Sequence, residues 1–418
     1  MSNASAVVPI GYKQTEVGVI PEDWDVLELG RCGEVIMGQS PLSSTYNKTG
    51  LGAPLINGPT EFTERYPKKI QWTTKPSRNC RAGDLLICVR GSSTGRTNYA
   101  NENYAIGRGV GAIRARNEND TQYLSYQVIS SVSKILTASS GSTFPSVDGA
   151  TLKRILVLLP SPIEQRAIKK ALNDVDELIV SLKNQIEKMR DIKQGTMQEL
   201  LTGKTRLPGF SDEWKTAKLK DFLKTPVTDG PHLTPIFHRT GIPFLSVNNL
   251  VNNRINFSEL RYISNEDHIE FSKKCKPERN DILLGKAASV GKVAIIDFDL
   301  ELNIWSPLAL IRVNKKHNSK FVFYSFQSRN ILYQIELLTN SSSQGNIGMG
   351  DIELLIFNLP EKDEQIAIAQ VLSDMDAEIA GLEERLEKAK AIKQGMMQQL
   401  LTGKIRLVEP QTSQEVSA

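Results

Sequence analysis

Ile192-Lys193-Gln194-Gly195-Thr196-Met197-Gln198-Glu199-Leu200-Leu201-Thr202-Gly203-Lys204 returns, 200 positions later, as Ile392-Lys393-Gln394-Gly395-Met396-Met397-Gln398-Gln399-Leu400-Leu401-Thr402-Gly403-Lys404. Around this stretch, residues 160–207 align with 360–407 without a gap and hold 25 identities in 48 positions. Chance does not produce such agreement; an internal duplication does. The chain is therefore two copies of one unit, each ending in this segment.

Outward from it, the sequence is collinear but more diverged. Asp84-Leu85-Leu86 heads an apolar run ending in Arg90-Gly91-Ser92-Ser93-Thr94-Gly95-Arg96, and Asp281-Ile282-Leu283-Leu284 heads one ending in Lys286-Ala287-Ala288-Ser289-Val290-Gly291-Lys292. A second β-like run at 103–114 parallels 303–312. Helical patterns follow at 121–136 and 320–338, then polar stretches at 137–143 and 339–344. The helical segments have stayed alike while the domains before them drifted apart.

Within the repeat, Ser161-Pro162-Ile163-Glu164 suits a helix start: serine caps, proline fits the first turn, and glutamate completes a capping box. Copy two has Glu361 and Lys362 at the first two places, which weakens that cap. Ile168, Leu172, Val175, Ile179, Leu182, Ile186 and Met189 then form a heptad seam, repeated at Ile368, Leu372, Met375, Ile379, Leu382, Leu386 and Ala389. One such stripe would equally suit a helix lying on its own domain. Two matching stripes predict an intramolecular antiparallel coiled coil, ending near Gly203 and Gly403. The charged outer face reads as ordinary solvated surface, yet the identity of the motif asks for more. A partner docking once on each copy would supply it, with Ile192, Lys193, Gln194 and Gln198, and Ile392, Lys393, Gln394 and Gln398, as the contacts.

The whole chain has 418 residues, 40% hydrophobic and 23% charged, as expected of a globular protein with several domains. Its apolar runs are too short for a membrane span, and no secretory signal is visible. A cytoplasmic protein is the expectation. Cys32, Cys80, Cys88 and Cys275 form no C-x-x-C pair, so reduced, buried thiols are expected rather than a zinc module. Net charge is only +4, and the domains 1–159 and 208–359 carry 17 basic against 13 acidic and 18 against 16 residues. DNA binding by such domains must come from local placement. Candidates are Arg90, Ser92, Ser93, Arg96, Ser142 and Thr143 in the first domain. In the second they are His232, Asn248, Lys286, Ser289, Lys292, Ser343 and Gln344. Gln39, Ser40 and Asn57 occupy comparable loops. An ordinary turn is the competing reading for each.

Catalytic motifs are missing. Gly203-Lys204-Thr205 resembles the end of a phosphate-binding loop, but the earlier glycine is Gln198 and copy two has Ile405. No Asn-Pro-Pro-aromatic methyltransferase loop and no nucleophile–base set is present.

The order of variable domain and repeated helix resembles the DNA-specificity subunit of type I restriction–modification enzymes. So do Lys13 to Trp24, Leu159-Pro160 with Glu164-Gln165, Leu359-Pro360 with Glu364-Gln365, and Thr228-Asp229-Gly230-Pro231-His232. The resemblance covers about residues 11–407. It implies an α+β chain with a pseudo-twofold internal repeat: two mixed α/β target recognition domains, 1–159 and 208–359. Two long helices, 160–207 and 360–407, separate them as an antiparallel coiled coil, and 408–418 form a tail. It further implies that each domain reads half of a split DNA target while the helices set the gap and dock two methyltransferase subunits. Those subunits would bind S-adenosylmethionine, and two restriction subunits would use ATP and Mg; this chain would hold no cofactor and no metal. The alternative is a structural adaptor with two protein-binding domains on a coiled-coil spacer. The bases read, and the spacer length, are not legible in the sequence. Residues 1–4 are set aside from the fold argument.

Overall fold

The structure, a computed structural model, describes residues 8–138, 146–339 and 345–409; Ser142, Thr143, Ser343 and Gln344 lie outside the described residues. The chain divides into two compact units, residues 1–184 with 384–418, and residues 185–383. Two 39-residue helices, α1 (Pro162–Leu200) and α2 (Lys362–Leu400), each contribute one half to each unit.

In the first unit an antiparallel sheet runs in the order Thr97–Tyr99, Leu85–Cys88, Val110–Ala115, Gly33–Met37. The central strand Leu85–Cys88 is buried at every position because both sheet faces are covered. Leu85 and Ile87 enter a core with Trp24, Tyr123 and Leu158, whereas Leu86 and Cys88 enter another with Ile56, Tyr104 and Ile106. This is the two-residue alternation of a strand, read out against two partners. Beside it, Ala53–Ile56 lies parallel to Tyr104–Ile106, with Ile56 opposite Ile106.

The second unit repeats this plan. Its sheet runs Thr228–Asp229, Leu308–Ile311, Ile282–Gly285, Val293–Ile295, the same order read from the other edge. Ile242–Leu245 lies parallel to Asn303–Ile304. Each central strand follows a buried aspartate held by a forked guanidinium, from Arg114 within the neighbouring strand and from Arg312 just past the end of its counterpart. Arg114 reaches Asp84 at 2.8 and 2.5 Å, and Arg312 reaches Asp281 at 2.8 and 2.6 Å.

The helical pattern at 121–136 is one helix, Thr121–Ala138. That at 320–338 is two, Ser319–Phe326 and Arg329–Leu338, because Ser328 leaves the helical conformation and accepts the Ile331 N–H as an N-cap.

The start of α1 is capped as the sequence indicates, Ser161 Oγ accepting from Glu164 N at 3.4 Å. No residue of either heptad stripe is exposed. The first part of each stripe, however, packs on a domain rather than on a helix alone. Ile168 and Leu172 join the core around Trp24 and Tyr123, and Ile368 and Leu372 join that around Phe321 and Phe357. Leu400 and Leu401 complete the first of these cores, and Met197, Leu200 and Leu201 the second. Among the described residues no helix is long and apolar enough to cross a membrane. All four cysteines are buried and free, and burial pushes the thiols of Cys32, Cys80 and Cys88 up to about 11 and that of Cys275 to about 12.

Candidate nucleic-acid interface

In the first unit several loops converge at one end of the sheets. Gly38 follows the edge strand and is pressed onto neighbouring backbone: a Cβ there would lie 2.2 Å from Gly107 O and 2.6 Å from Val110 O. The close approach lets Gln39 N donate to Ile106 O at 3.0 Å, and Ser40 Oγ accepts from Arg108 N at 3.2 Å. The 90–96 turn is closed by Thr94, whose N and Oγ1 both donate to Gly91 O, at 3.1 and 2.7 Å. Arg90 and Ser92 are exposed on this turn and Ser93 is half-buried. Arg96 donates to Pro59 O at 3.3 Å and to Phe62 O at 3.0 Å, fastening the 57–62 loop to the turn. Its guanidinium is a strut as much as a free cation. Asn57 donates to Gln71 Oε1 at 3.1 Å.

The second unit builds the same end with other side chains. Gly230 takes the place of Gly38, since a Cβ there would lie 1.7 Å from Ile304 O. The residue before it is Asp229, fully buried, where the first unit has Met37. Lys274 Nζ lies 2.5 Å from Asp229 Oδ1, and Lys286 Nζ lies 3.2 Å from Oδ2. His232 Nε2 is 3.3 Å from the same Oδ2 and its side chain is 72% exposed. Burial pushes the Asp229 carboxyl up, but the two ammonium groups outweigh it and hold the group below the usual aspartate range. Lys286, expected as a free DNA contact, has a side chain only 12% exposed and engaged in this pair. Asn248 and Lys292 are exposed; Ser289 is half-buried.

Two cations at these ends escaped the sequence reading. Arg108 is exposed on the Gly107–Gly109 loop, and Lys274 reaches Asp229 from 45 positions away. The flanking glycines of Arg108 were a usable signal; nothing in the sequence distinguishes Lys274 from Lys273.

The helix motif has an internal explanation for much of its repetition. Lys393 Nζ pairs with Asp176 at 2.6 Å and lies 5.6 Å above the Tyr126 ring, while Tyr126 Oη donates to Asp176 at 2.8 Å. The other unit has the same trio: Lys193 pairs with Asp376 at 2.6 Å, lies 5.2 Å above Tyr324, and Tyr324 Oη donates to Asp376 at 2.8 Å. Lys193 and Lys393, read from their repetition as docking contacts, thus have their charges engaged within the chain. Ile192 and Ile392 stay 44% and 47% exposed, and Gln194, Gln394 and Gln398 are exposed, with Gln198 half-buried.

Beyond the helices, Gly203 and Gly403 both adopt φ +70°, and a Cβ on Gly403 would lie 2.4 Å from Pro21. The reversed chain then delivers an arginine to a buried glutamate. Arg406 Nε and Nη2 donate to Glu164 at 2.7 Å each, Trp24 Nε1 donates to Glu164 at 3.1 Å, and Arg406 also forks onto Asp23 at 2.9 and 2.8 Å. Arg206 donates to Glu364 at 2.6 and 2.7 Å, with Trp214 Nε1 at 3.2 Å. The carboxylates raise the affinity of both guanidinium groups for their protons, and Arg406 holds the Asp23 carboxyl below its ordinary value.

A duplicated fold with variable loop ends and repeated helix termini is what comparison with known families also returns. The profile of the type I restriction modification DNA specificity domain matches twice, over residues 21–189 and 211–391. The chain belongs to that family. Its role is the family's, DNA specificity within a restriction–modification enzyme without catalysis of its own. The putative MjaX specificity subunit of Methanocaldococcus jannaschii is 38% identical over 199 residues, about half the length of each chain (47% of both). The MjaVIII specificity subunit of the same organism is 24% identical over 93% of this chain and 94% of its own. The EcoBI specificity subunit of Escherichia coli is 21% identical over 93% of this chain and 86% of its own. A type I S subunit from M. genitalium shares the fold with a TM-score of 0.61 at 14% identity, covering 90% of this chain and 96% of that one. A second chain, from a structure addressing assembly and conformational transition of the type I R-M system, gives 0.54 at 18% identity, covering 92% of this chain and 99% of that one.

Proposed function

We propose that this specificity-family chain reads a bipartite double-stranded DNA target, one half-site with each loop end, and carries the enzyme's catalytic subunits to it. The observation that supports this best is the pairing of one scaffold with two unlike loop sets. Gly38 and Gly230 make the same backbone approach, while Arg90, Ser92 and Arg108 in one unit answer to His232, Asn248 and Lys292 in the other. Phosphate contacts would position each head and base-edge contacts would specify the sequence. The reading heads are residues 1–159 and 208–359, and the repeated segments 160–207 and 360–407 act as an antiparallel coiled-coil spacer. In support, each unit joins the first half of one helix to the second half of the other through a lysine–aspartate pair.

Two methyltransferase subunits binding S-adenosylmethionine dock on the repeated helices, with Ile192, Gln194, Ile392 and Gln394 as the exposed contacts. Two restriction subunits supply ATP- and Mg-dependent translocation and cleavage, and the complex acts in the cytoplasm. The test is an exchange of residues 1–159 for the corresponding domain of a relative, followed by adenine-methylome sequencing. One half of the methylated motif changes and the other stays. A motif that changes in both halves, or in neither, rejects the two-reader assignment, and the absence of any methylated motif favours a protein-binding adaptor. Four residues inserted in α1 add about 6 Å of helix, which widens the gap between half-sites by one or two base pairs if the helices are the spacer.

A further inference from the structure

The two loop ends share a backbone but not their electrostatics. At the edge-strand position before the tightly packed glycine, the first unit has Met37 and the second has Asp229. A fully buried carboxylate is costly unless it is compensated, and this one faces Lys274, Lys286 and His232. Asp229 Oδ2 nevertheless has no well-directed hydrogen bond: Lys286 and His232 stand 3.2 and 3.3 Å away without the geometry of one. Lys274 is better fixed, since it also donates to Gly230 O at 3.0 Å. The backbone at Gly230 is packed so close to Ile304 that a Cβ would lie 1.7 Å from its carbonyl oxygen, and this close approach places the carboxylate. Two of the three groups around it open to solvent, His232 at 72% and Lys274 at 48% side-chain exposure.

We propose that Asp229 is a positioning residue that holds the solvent-open Lys274 and His232, with Lys286 as a buried counter-charge, as a clamp for one DNA backbone phosphate of the second half-site. This rests on the DNA-reading assignment made above. The buried anion fixes the cations before DNA arrives, so the contact has one geometry and sets the register in which neighbouring loops meet base edges. In the first unit Met37 provides no such anchor, and register there depends on the struts of Arg96 and the 107–109 loop.

The consequence is specific in sign. Asp229→Asn keeps the shape, removes one buried negative charge and releases the lysines. Loose cations still attract any duplex, so binding to unrelated DNA is retained or rises, while binding to the cognate duplex falls. A residue that only supported the fold would lower both together.

The experiment uses the full chain assembled with its methyltransferase subunits. The probes are a fluorescent duplex carrying the motif found by methylome sequencing and a scrambled duplex of equal length, titrated at several salt concentrations. For Asp229→Asn the ratio of cognate to scrambled affinity falls about tenfold or more, with unrelated binding undiminished. His232→Ala, at an exposed position where folding is not at risk, lowers cognate affinity with a salt slope shallower by about one charge or less. An unchanged ratio for Asp229→Asn overturns the inference while leaving the DNA-reading assignment intact. If Asp229→Asn does not assemble, unaltered cognate affinity and an unaltered salt slope for both His232→Ala and Lys274→Met overturn it instead. Failure of the unmodified complex to prefer the cognate duplex removes the assignment on which the inference rests.

Discussion

The helix ends and the loop ends of the two units teach opposite lessons about duplication. At the helix ends the same residues recur in the same jobs: Arg406, Glu164 and Trp24 in one unit, Arg206, Glu364 and Trp214 in the other. At the loop ends the backbone approach recurs but the chemistry does not, Met37 standing where Asp229 stands. A buried guanidinium–carboxylate pair fails if either member changes alone, because the remaining charge stays desolvated. The exposed loop residues, Arg90, Ser92 and Arg108 against His232, Asn248 and Lys292, carry no such constraint and are free to diverge, whereas the buried Asp229 stands with Lys274 and Lys286 beside it.

The two helix ends are not equal, and this sets the largest effects expected on stability. Trp24 is fully buried, whereas Trp214 is half-buried. Trp24→Ala should cost about 3–5 kcal/mol in chemical denaturation. Trp214→Ala should cost clearly less, about 1–2 kcal/mol. Equal losses would show that the two ends are equivalent after all.

Next in size is the buried carboxylate itself. Glu164→Ala leaves Arg406 without its main partner and should destabilise by about 3 kcal/mol, and Glu364→Ala acts in the same direction on its unit. Double substitution of Glu164 and Arg406 should cost less than the sum of the singles. Additive losses would mean that the pair is not coupled.

The lysine struts come third. Lys193 and Lys393 are 13% and 25% exposed, so Lys193→Met should cost about 1 kcal/mol and Lys393→Met somewhat less. Ile192→Ala and Gln194→Ala, at exposed positions two residues or fewer away, should leave stability within about 0.5 kcal/mol. If they instead destabilise as the lysines do, the division of the motif into internal and outward residues is wrong.

The smallest effect is a pH dependence. Asp23 is half-exposed, and the Arg406 guanidinium lowers its carboxyl below the ordinary 3.8. A depressed folded value means stability that is present above about pH 3.8 and lost as pH falls through the lower folded value. Asp23→Asn should flatten the acid limb of the stability profile by less than about 1 kcal/mol. The second unit makes a useful control: among the described residues Glu364 is the carboxylate in direct contact with Arg206, and Asp212 acts on it only from a distance.

Much of this organisation was open to reading from residue order alone. Duplication is an identity pattern, heptad spacing and capping act within a few residues, and the apolar run after Asp84 reads as β-like, although only the structure shows it covered on both faces. The DNA-specificity resemblance rested on the same local motifs. The break at Ser328 was missed because a serine suits both an exposed helix position and a cap, and only the neighbouring chain selects between them.

Residue types and their spacing determined that the chain is two copies of one unit, where the long helices run, and which turns carry exposed polar side chains. Tertiary structure alone decided which charges were free. Lys286, Lys193 and Lys393 read as available cations until Asp229, Asp376 and Asp176 were brought to them from 57, 183 and 217 positions away. Coulomb attraction acts over a few ångströms in space regardless of separation along the chain, so a lysine's role is set by the partners that folding places beside it.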